Sequence, residues 1–333
     1  MNQNTVLPLI NTPFQPGNAQ KVVNEIQDED VRQIAQAELY YFSGKAKECC
    51  ELLKSYLSHP KLELRLTACM LYAYANLTLG NTVASKRALD EIQKDVKKEL
   101  KEPSSKEHYA YCVFAAYLGT VLLHLPIEDL PDYKDYTEYL PSGLRLFAAY
   151  IIAHVVYLKE DYGRALGICQ TALLFSKGTY PISMIYLNCM IAMCEINRKH
   201  TKEAQEALLK AWDYAKEDAL LEPFIEHHGL LQGLLESTAR ITNPKLYKEI
   251  SKGAINFSRG WMAIHNQKTK KPVTDALTTM EFSIAMLACR DWTNQEIADY
   301  LGISVNTVKH YLTEIFSKLD VKKRDELKEY VLK

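Results

Sequence analysis

The sequence predicts an all-α chain, a solenoid of helical hairpins followed by a small four-helix domain at the carboxy terminus. Three observations carry this expectation. Apolar residues recur at spacings of three and four through nearly every segment. Runs of β-branched residues are absent, and Gly and Pro are sparse, 13 and 12 in 333 residues. Pro60, Pro103, Pro141, Pro181 and Pro223 stand 43, 38, 40 and 42 residues apart, most of them just ahead of an apolar helical pattern. A proline fits the first helical turn, where its missing N–H would have had no partner, so these prolines mark the starts of repeats.

Within several repeats a second break falls midway, at Gly80, at Asp161 and near Lys199, with Gly44 in the same role in a first, incomplete repeat. Each unit therefore reads as a helical hairpin. The text around the corners is alike: Tyr41-Phe42-Ser43-Gly44 ahead of Glu51-Leu52-Leu53, Leu77-Thr78-Leu79-Gly80 ahead of Arg87-Ala88-Leu89, and Leu158 to Tyr162 ahead of Thr171-Ala172-Leu173. This pattern resembles tetratricopeptide-like (TPR-like) repeats. Its period exceeds the ~34 residues of strict tetratricopeptide repeats and is closer to the helical repeats of MalT-type regulators. In the third repeat the run from Asp129 to Leu140 is acidic and rich in Tyr, so a short or distorted second helix is expected there.

Composition narrows the function classes. Forty Lys plus Arg face forty-one Asp plus Glu, so no global field draws in nucleic acid, and any DNA contact must be local. Residues Met1 to Gln15 have neither the basic start nor the apolar run of a signal peptide. Tyr109 to Ile127 carries no charge and has the length of a membrane span, but its Tyr, Gly, His and Pro content and its flanking repeats favour a buried solenoid helix. The eight cysteines lie in apolar helical text without Cys-x-x-Cys pairing, and read as small buried hydrophobes in a reducing compartment. A cytoplasmic location is expected.

After Trp261 the text turns polar and basic from His265 to Asp275, with Pro272 inside it. The expected division is a repeat domain over 1–262, a linker over 263–276 and a terminal domain over 277–333. From Leu277 onward the spacing becomes specific. Thr278-Thr279-Met280-Glu281 and Thr293-Asn294-Gln295-Glu296 both fit a capping box, in which hydroxyl and carboxylate satisfy the orphan N–H groups of a helix start. Leu301-Gly302-Ile303-Ser304 makes a turn in which Gly302 can take the left-handed conformation, and Ser304 caps the next helix. On that helix Val305, Val308, Leu312, Ile315, Phe316 and Leu319 share one arc, while Asn306, Lys309, His310, Thr313 and Ser317 lie opposite. A row of donors on a helix anchored by its apolar face is what reading base edges in a major groove requires.

The string Leu277-Thr-x-x-Glu281, Asn294-Gln-Glu-Ile-Ala298, Leu301-Gly-Ile-Ser304, Thr307-Val-Lys309, Ile315-Phe316, Lys318-Leu319, Val321 and Arg324 resembles the LuxR/FixJ (GerE-type) helix-turn-helix family over its whole DNA-binding domain. The resemblance implies a sequence-specific transcription regulator acting on double-stranded DNA. It implies base contacts from Lys309, His310 and Thr313, and phosphate contacts from Thr293, Asn294, Ser304, Asn306, Thr307, Lys318, Lys322 and Arg324. The last helix, from Lys323 to Lys333, resembles the family's dimerisation helix, with Leu327, Tyr330 and Val331 as contact face, which implies a homodimer. Two features depart from the pattern. Asp320 stands where the family usually has Gly, though Asp also visits the left-handed region. Residues 277–333 hold eight basic side chains against nine acidic ones, so the acids must lie off the DNA face or binding is weak and salt-limited.

No Gly-x-x-x-x-Gly-Lys-Ser/Thr loop occurs, and no alternation of strands and helices suggests a receiver domain. Glu222, Glu226, His227 and His228 lack metal-binding spacing and read as an exposed helix face. No catalytic set, metal or cofactor is expected, and no enzyme. A solenoid offers an extended concave wall for an unknown small-molecule, peptide or protein effector. Its many tyrosines, Tyr72, Tyr74, Tyr109, Tyr111, Tyr117, Tyr150, Tyr157 and Tyr186 among them, either fill the seams between repeats or face such a ligand. The rival reading is an adaptor whose terminal domain serves protein contact.

Overall fold

The structure is a computed structural model that describes residues 5–125, 130–269 and 276–331. It is all helical, and no strand occurs among the described residues. A short α1 (Ala19–Glu25) precedes five hairpins or half-hairpins. These are α2 (Glu29–Phe42) with α3 (Ala46–Leu53), α4 (Leu62–Thr78) with α5 (Thr82–Lys101), α6 (Lys106–Leu122) without a regular mate, α7 (Ser142–Tyr157) with α8 (Tyr162–Phe175), and α9 (Pro181–Asn197) with α10 (Thr201–Ala215). Each regular corner is closed by one left-handed residue: Gly44 (φ 71°), Gly80 (φ 71°), Glu160 (φ 61°) and Lys199 (φ 63°). Gly is the low-strain choice for such a corner, and the two later repeats manage it with charged residues instead. Asn81 and Asp161 then cap the second helices by accepting the N–H of Ala84 and Arg164.

Pro60 and Pro103 lie just ahead of α4 and α6, Pro141 caps α7, Pro181 opens α9, and Pro223 sits in the first turn of α11 (Glu222–His227). The third repeat is distorted as its acidic, Tyr-rich text predicts. In place of a second helix there are two 3-10 turns, Tyr133–Asp135 and Thr137–Tyr139, and the buried ring of Tyr136 between them stacks on Tyr117 at 5.7 Å.

The first helices of the hairpins, α2, α4, α6, α7 and α9, pack on one another as an inner layer, and the chain itself covers much of that layer. Residues 6–14 run across it with Val6, Leu7, Leu9, Ile10 and Phe14 buried. Burying each such side chain stabilises by about 1.5–3 kcal/mol. Their backbone is satisfied by side chains of the repeats, the N–H groups of Leu9 and Ile10 donating to Glu38 (2.7 and 3.3 Å) and that of Leu7 to Thr67 Oγ1 (3.0 Å), while the Asn11 side chain accepts the backbone N–H of Leu144 (2.9 Å) in return. Farther along, α11 packs against α2 and α9, and α13 (Pro244–Thr269) lies along α4 and α5. The expectation of an open wall is therefore corrected, because apolar segments of the same chain find their burial there.

Glu222, His227 and His228 are likewise buried rather than an exposed face, since α11 points inward: Glu222 accepts from Thr78, His227 meets Tyr150, and His228, just past the helix, meets Glu236. Tyr74, Tyr117, Tyr150, Tyr157 and Tyr186 are buried in the seams. All eight cysteines are buried and unpaired. No helix among the described residues is long and apolar enough to cross a membrane.

The segment read as a linker is partly helix. α13 continues through its first half to Thr269, because no breaker intervenes before Pro272 and His265 is buried, stacking on Trp261 at 4.4 Å. Lys270 to Asp275 lie outside the described residues. α12 (Leu234–Thr242) precedes α13, and the terminal domain comprises α14 (Thr279–Cys289), α15 (Asn294–Leu301), α16 (Val305–Leu319) and a closing 3-10 turn, Arg324–Glu329.

Candidate nucleic-acid interface

The terminal domain is built on its caps. Thr278 and Glu281 form a complete capping box at α14, and Thr293 and Glu296 form a second at α15. Gly302 closes α15 in the left-handed conformation (φ 65°, ψ 36°), and Ser304 accepts the Thr307 N–H at 3.0 Å to start α16. Asp320 takes the left-handed conformation (φ 53°, ψ 43°) that ends α16. These local bonds fix α16 across α14 and α15, and Val308, Leu312, Ile315 and Leu319 seal it to them. Val305 and Phe316 are half-buried at the margin of this contact.

The opposite side of α16 faces solvent. Lys309, His310, Thr313, Asn306 and Ser317 are all exposed, and Thr313 Oγ1 donates to the Lys309 carbonyl at 3.0 Å. Glu314 is exposed on the same helix, one carboxylate beside this row of donors.

The residues expected at phosphates lie in several places. Thr293, Asn294 and Arg324 are brought together at the start of α15, where Arg324 donates to Asn294 Oδ1 and to the Trp292 carbonyl. Ser304 is exposed and Thr307 half-buried at the start of α16, and the two hydroxyls bond each other at 2.8 Å. Lys322 is exposed next to the closing turn. Lys318 is engaged elsewhere: its ammonium donates to both oxygens of Glu281 at 2.8 Å, so contact with a phosphate requires exchanging that pair. Burial pushes the Glu281 carboxyl up, but Lys318 and the Thr278 donors outweigh it and hold it below its ordinary value.

The closing turn points inward. Leu327 and Val331 are buried in the domain and Tyr330 is half-buried, so in the single chain only the Tyr330 ring lies partly open among the three residues expected to pair two copies. Leu332 and Lys333 lie outside the described residues. The excess of acids is partly accounted for by internal pairing. Glu281 meets Lys318, Glu326 accepts the N–H groups of Lys322 and Lys323, and Glu296 caps α15 while meeting Lys199 of the solenoid at 3.0 Å.

A family profile, bacterial regulatory proteins of the luxR family, matches residues 275–331. Those residues form a LuxR-type helix-turn-helix domain. The same region is 42% identical over 57 residues to the "Oxygen regulatory protein NreC" of Staphylococcus haemolyticus and to the protein of that name from Staphylococcus carnosus. The match takes in 17% of this chain and spans about a quarter (26%) of the length of those relatives. No solved structure matches the chain.

The helix-turn-helix domain does not hang free. α15 packs on α12, and Arg290 donates to Asn197 Oδ1. The Lys199 ammonium lies 5.7 Å over the Trp292 ring, and Leu301 closes on Gly233. Gly233 is left-handed (φ 84°), and a Cβ there would stand 2.5 Å from Leu301 Cδ2. Sequence reasoning missed this seam entirely. Its members are separated by 92 to 97 residues at Lys199 and no local pattern marks them.

Proposed function

We propose that this protein is a sequence-specific, DNA-binding transcription regulator whose helical-repeat domain receives a signal and passes it to the helix-turn-helix domain through their seam. The observation that carries the reading is the state of α16: its apolar arc is sealed to the domain, yet Lys309, His310 and Thr313 stay exposed while the domain is docked on the repeats. In this reading those three side chains read bases. Thr293, Asn294, Ser304, Asn306, Thr307, Lys322 and Arg324 position the duplex backbone, joined by Lys318 once it leaves Glu281. Phosphate contacts fix register and base contacts give sequence preference, so the two groups have separable effects.

Two copies bind two half-sites, with Tyr330 at the edge of their contact. The start of α15 is both the place for phosphates and the place where Lys199 holds Glu296. A change in docking therefore changes DNA affinity through unequal binding to two arrangements. No catalytic step belongs to this reading.

The test is selection of DNA sites from a random duplex library by the full chain, followed by mobility shifts. A recovered motif is expected, and Lys309→Ala with Thr313→Ala loses ~10-fold or more of the preference for it, since a good base contact discriminates by about 1–3 kcal/mol. Absence of any enriched sequence, together with no duplex binding in dilute salt, overturns the reading.

A further inference from the structure

Between the repeats and the start of the helix-turn-helix domain lies a cavity of about 420 Å³, within the roughly 300–1,000 Å³ usual for small-molecule sites. Its walls come from both units. The end of α6, α7, α11 and α13 supply one side, and residues 276–282 supply the other. It reaches solvent along one edge of α13, where Ile255, Ser258 and Arg259 are exposed. Trp261, Phe257 and Phe282 give it an aromatic lining, and four imidazoles line it: that of His228, which meets Glu236 at 3.1 Å, and the three of His124, His154 and His227.

The hydrogen bonds around these imidazoles have only one consistent assignment. His227 Nδ1 lies 2.7 Å from the Pro223 carbonyl, which only accepts, so Nδ1 carries the proton and Nε2 is an acceptor. The Tyr150 hydroxyl, 2.8 Å from that Nε2, must give it its one hydrogen. His154 Nδ1, 3.0 Å from the same hydroxyl, must then donate to it. The remaining nitrogen, His154 Nε2, is left a bare acceptor, buried and without a partner among the described residues. Burial holds all three rings neutral, with His124 down to about 3 and His227 to about 4. Glu226, also in the wall, already accepts the hydroxyls of Tyr41 and Tyr186.

An unpaired buried acceptor costs about 1–3 kcal/mol, which a molecule bringing an N–H or O–H recovers. A charged molecule gains less there, because His124, His154 and His227 are uncharged, His228 is already paired with Glu236, Arg259 stands at the solvent edge, and desolvating an ion costs far more. Resting on the regulator reading above, we propose that this cavity is the effector site and takes a small uncharged aromatic molecule whose single N–H or O–H is received by His154. Because Leu277, Thr278 and Phe282 form part of the wall, an occupant touches both units and ties the helix-turn-helix domain to the repeats.

The test uses the full chain and no DNA. Indole, 1-methylindole, phenol and benzoate are titrated by calorimetry and by Trp fluorescence, and amide exchange is followed at residues 278–282. Indole and phenol are expected to bind in the micromolar to millimolar range, indole ~5-fold or more tighter than 1-methylindole, as one neutral hydrogen bond of roughly 1 kcal/mol requires. Exchange at 278–282 slows with indole. Met262→Trp, which fills the cavity from its edge, abolishes binding, and His154→Phe removes the discrimination between the two indoles. Failure of every probe to bind at millimolar concentration overturns the proposal. So does equal binding of indole and 1-methylindole by the wild-type chain, preference for benzoate, or binding that persists in a folded Met262→Trp chain. The wild-type comparison of the two indoles stands even where the His154 variant does not fold. None of these readouts involves a duplex, so a negative result leaves the DNA-binding reading intact, and a chain that ignores DNA still reports on the cavity.

Discussion

Lys199, the left-handed corner between α9 and α10, bonds both oxygens of Glu296, at 3.0 and 3.1 Å, three residues into the first helix of the helix-turn-helix pair. One carboxylate thus caps the domain's own helix and anchors that helix to the repeats. The two backbone and side-chain donors of Thr293 and the Lys199 ammonium hold Glu296 down to about 2. Its share of the seam is complete above its ordinary value of 4.5 and is lost as pH falls from there towards about 2.

Lys199→Ala is expected to change the melting temperature little, because both partners are about two-fifths exposed (41% and 40%) and such pairs contribute ~0–1 kcal/mol. Amide exchange at the start of α15 rises nonetheless. Gly233→Ala acts on the same seam more strongly, since it meets both a left-handed backbone and Leu301. A loss of ~1–3 kcal/mol is expected. Exchange across 290–301 in the two variants, compared with the wild type, checks the order; a Gly233 variant as protected as the wild type contradicts it.

Gly260→Ala is expected to damage the solenoid. A Cβ at this position of α13 collides with the backbone carbonyl of Leu77 in α4, and backbone cannot step aside as a side-chain tip does. The substitution costs ~2 kcal/mol or more and lowers Tm by ~4 °C or more, measured by calorimetry. Ala at Gly163 or Gly167, where a Cβ meets nothing, serves as the control and is neutral or mildly stabilising.

Glu38 supplies a pH dependence of known sign. Burial raises its carboxyl from 4.5 to about 8, against the lowering pull of the Leu9 and Ile10 N–H groups. The folded chain keeps the proton up to about pH 8 while the unfolded chain releases it near 4.5, so this group's contribution falls as pH rises between the two and is level above. Glu38→Gln, whose amide mimics the protonated acid, is expected to flatten the decline of Tm between pH 6 and 8.5. An unchanged slope excludes Glu38 as its source.

Lys322→Ala and Lys309→Ala separate positioning from reading. The first is expected to weaken binding to all duplexes alike and to reduce the slope of log K against log salt by ~1. The second leaves non-specific binding nearer to the wild type and relaxes preference within the site. Titrations of one selected and one scrambled duplex at several salt concentrations distinguish them.

Much of the architecture was legible because it is written in short-range bonds. Thr278 with Glu281, Thr293 with Glu296, Gly302, Ser304 and even Asp320 are caps and turns whose partners lie within five residues, and each is formed as its local text predicts. The same holds for Gly44 and Gly80 at the corners. The text from His265 to Asp275 misled in part, since polarity alone does not end a helix and neither Gln267 nor its neighbours break one. Glu222, His227 and His228 misled for a different reason. A sequence shows that a polar group exists but not which partner elsewhere, here Thr78, Tyr150 and Glu236, will satisfy it.

What the amino-acid order settled by itself was helix after helix, the period of the repeats and a helix-turn-helix whose apolar arc and donor row occupy opposite sides. These depend on 3.6-residue periodicity and on hydrogen bonds closed within one turn. Only the folded chain decided that residues 6–14, α11 and α13 would pack over the repeats, that Lys199 would seize Glu296, and that a pocket holding the unanswered His154 Nε2 would form where the two units meet. Those contacts join residues scores to hundreds of positions apart, and their energies arise from burial and desolvation, which exist only once the surfaces have closed.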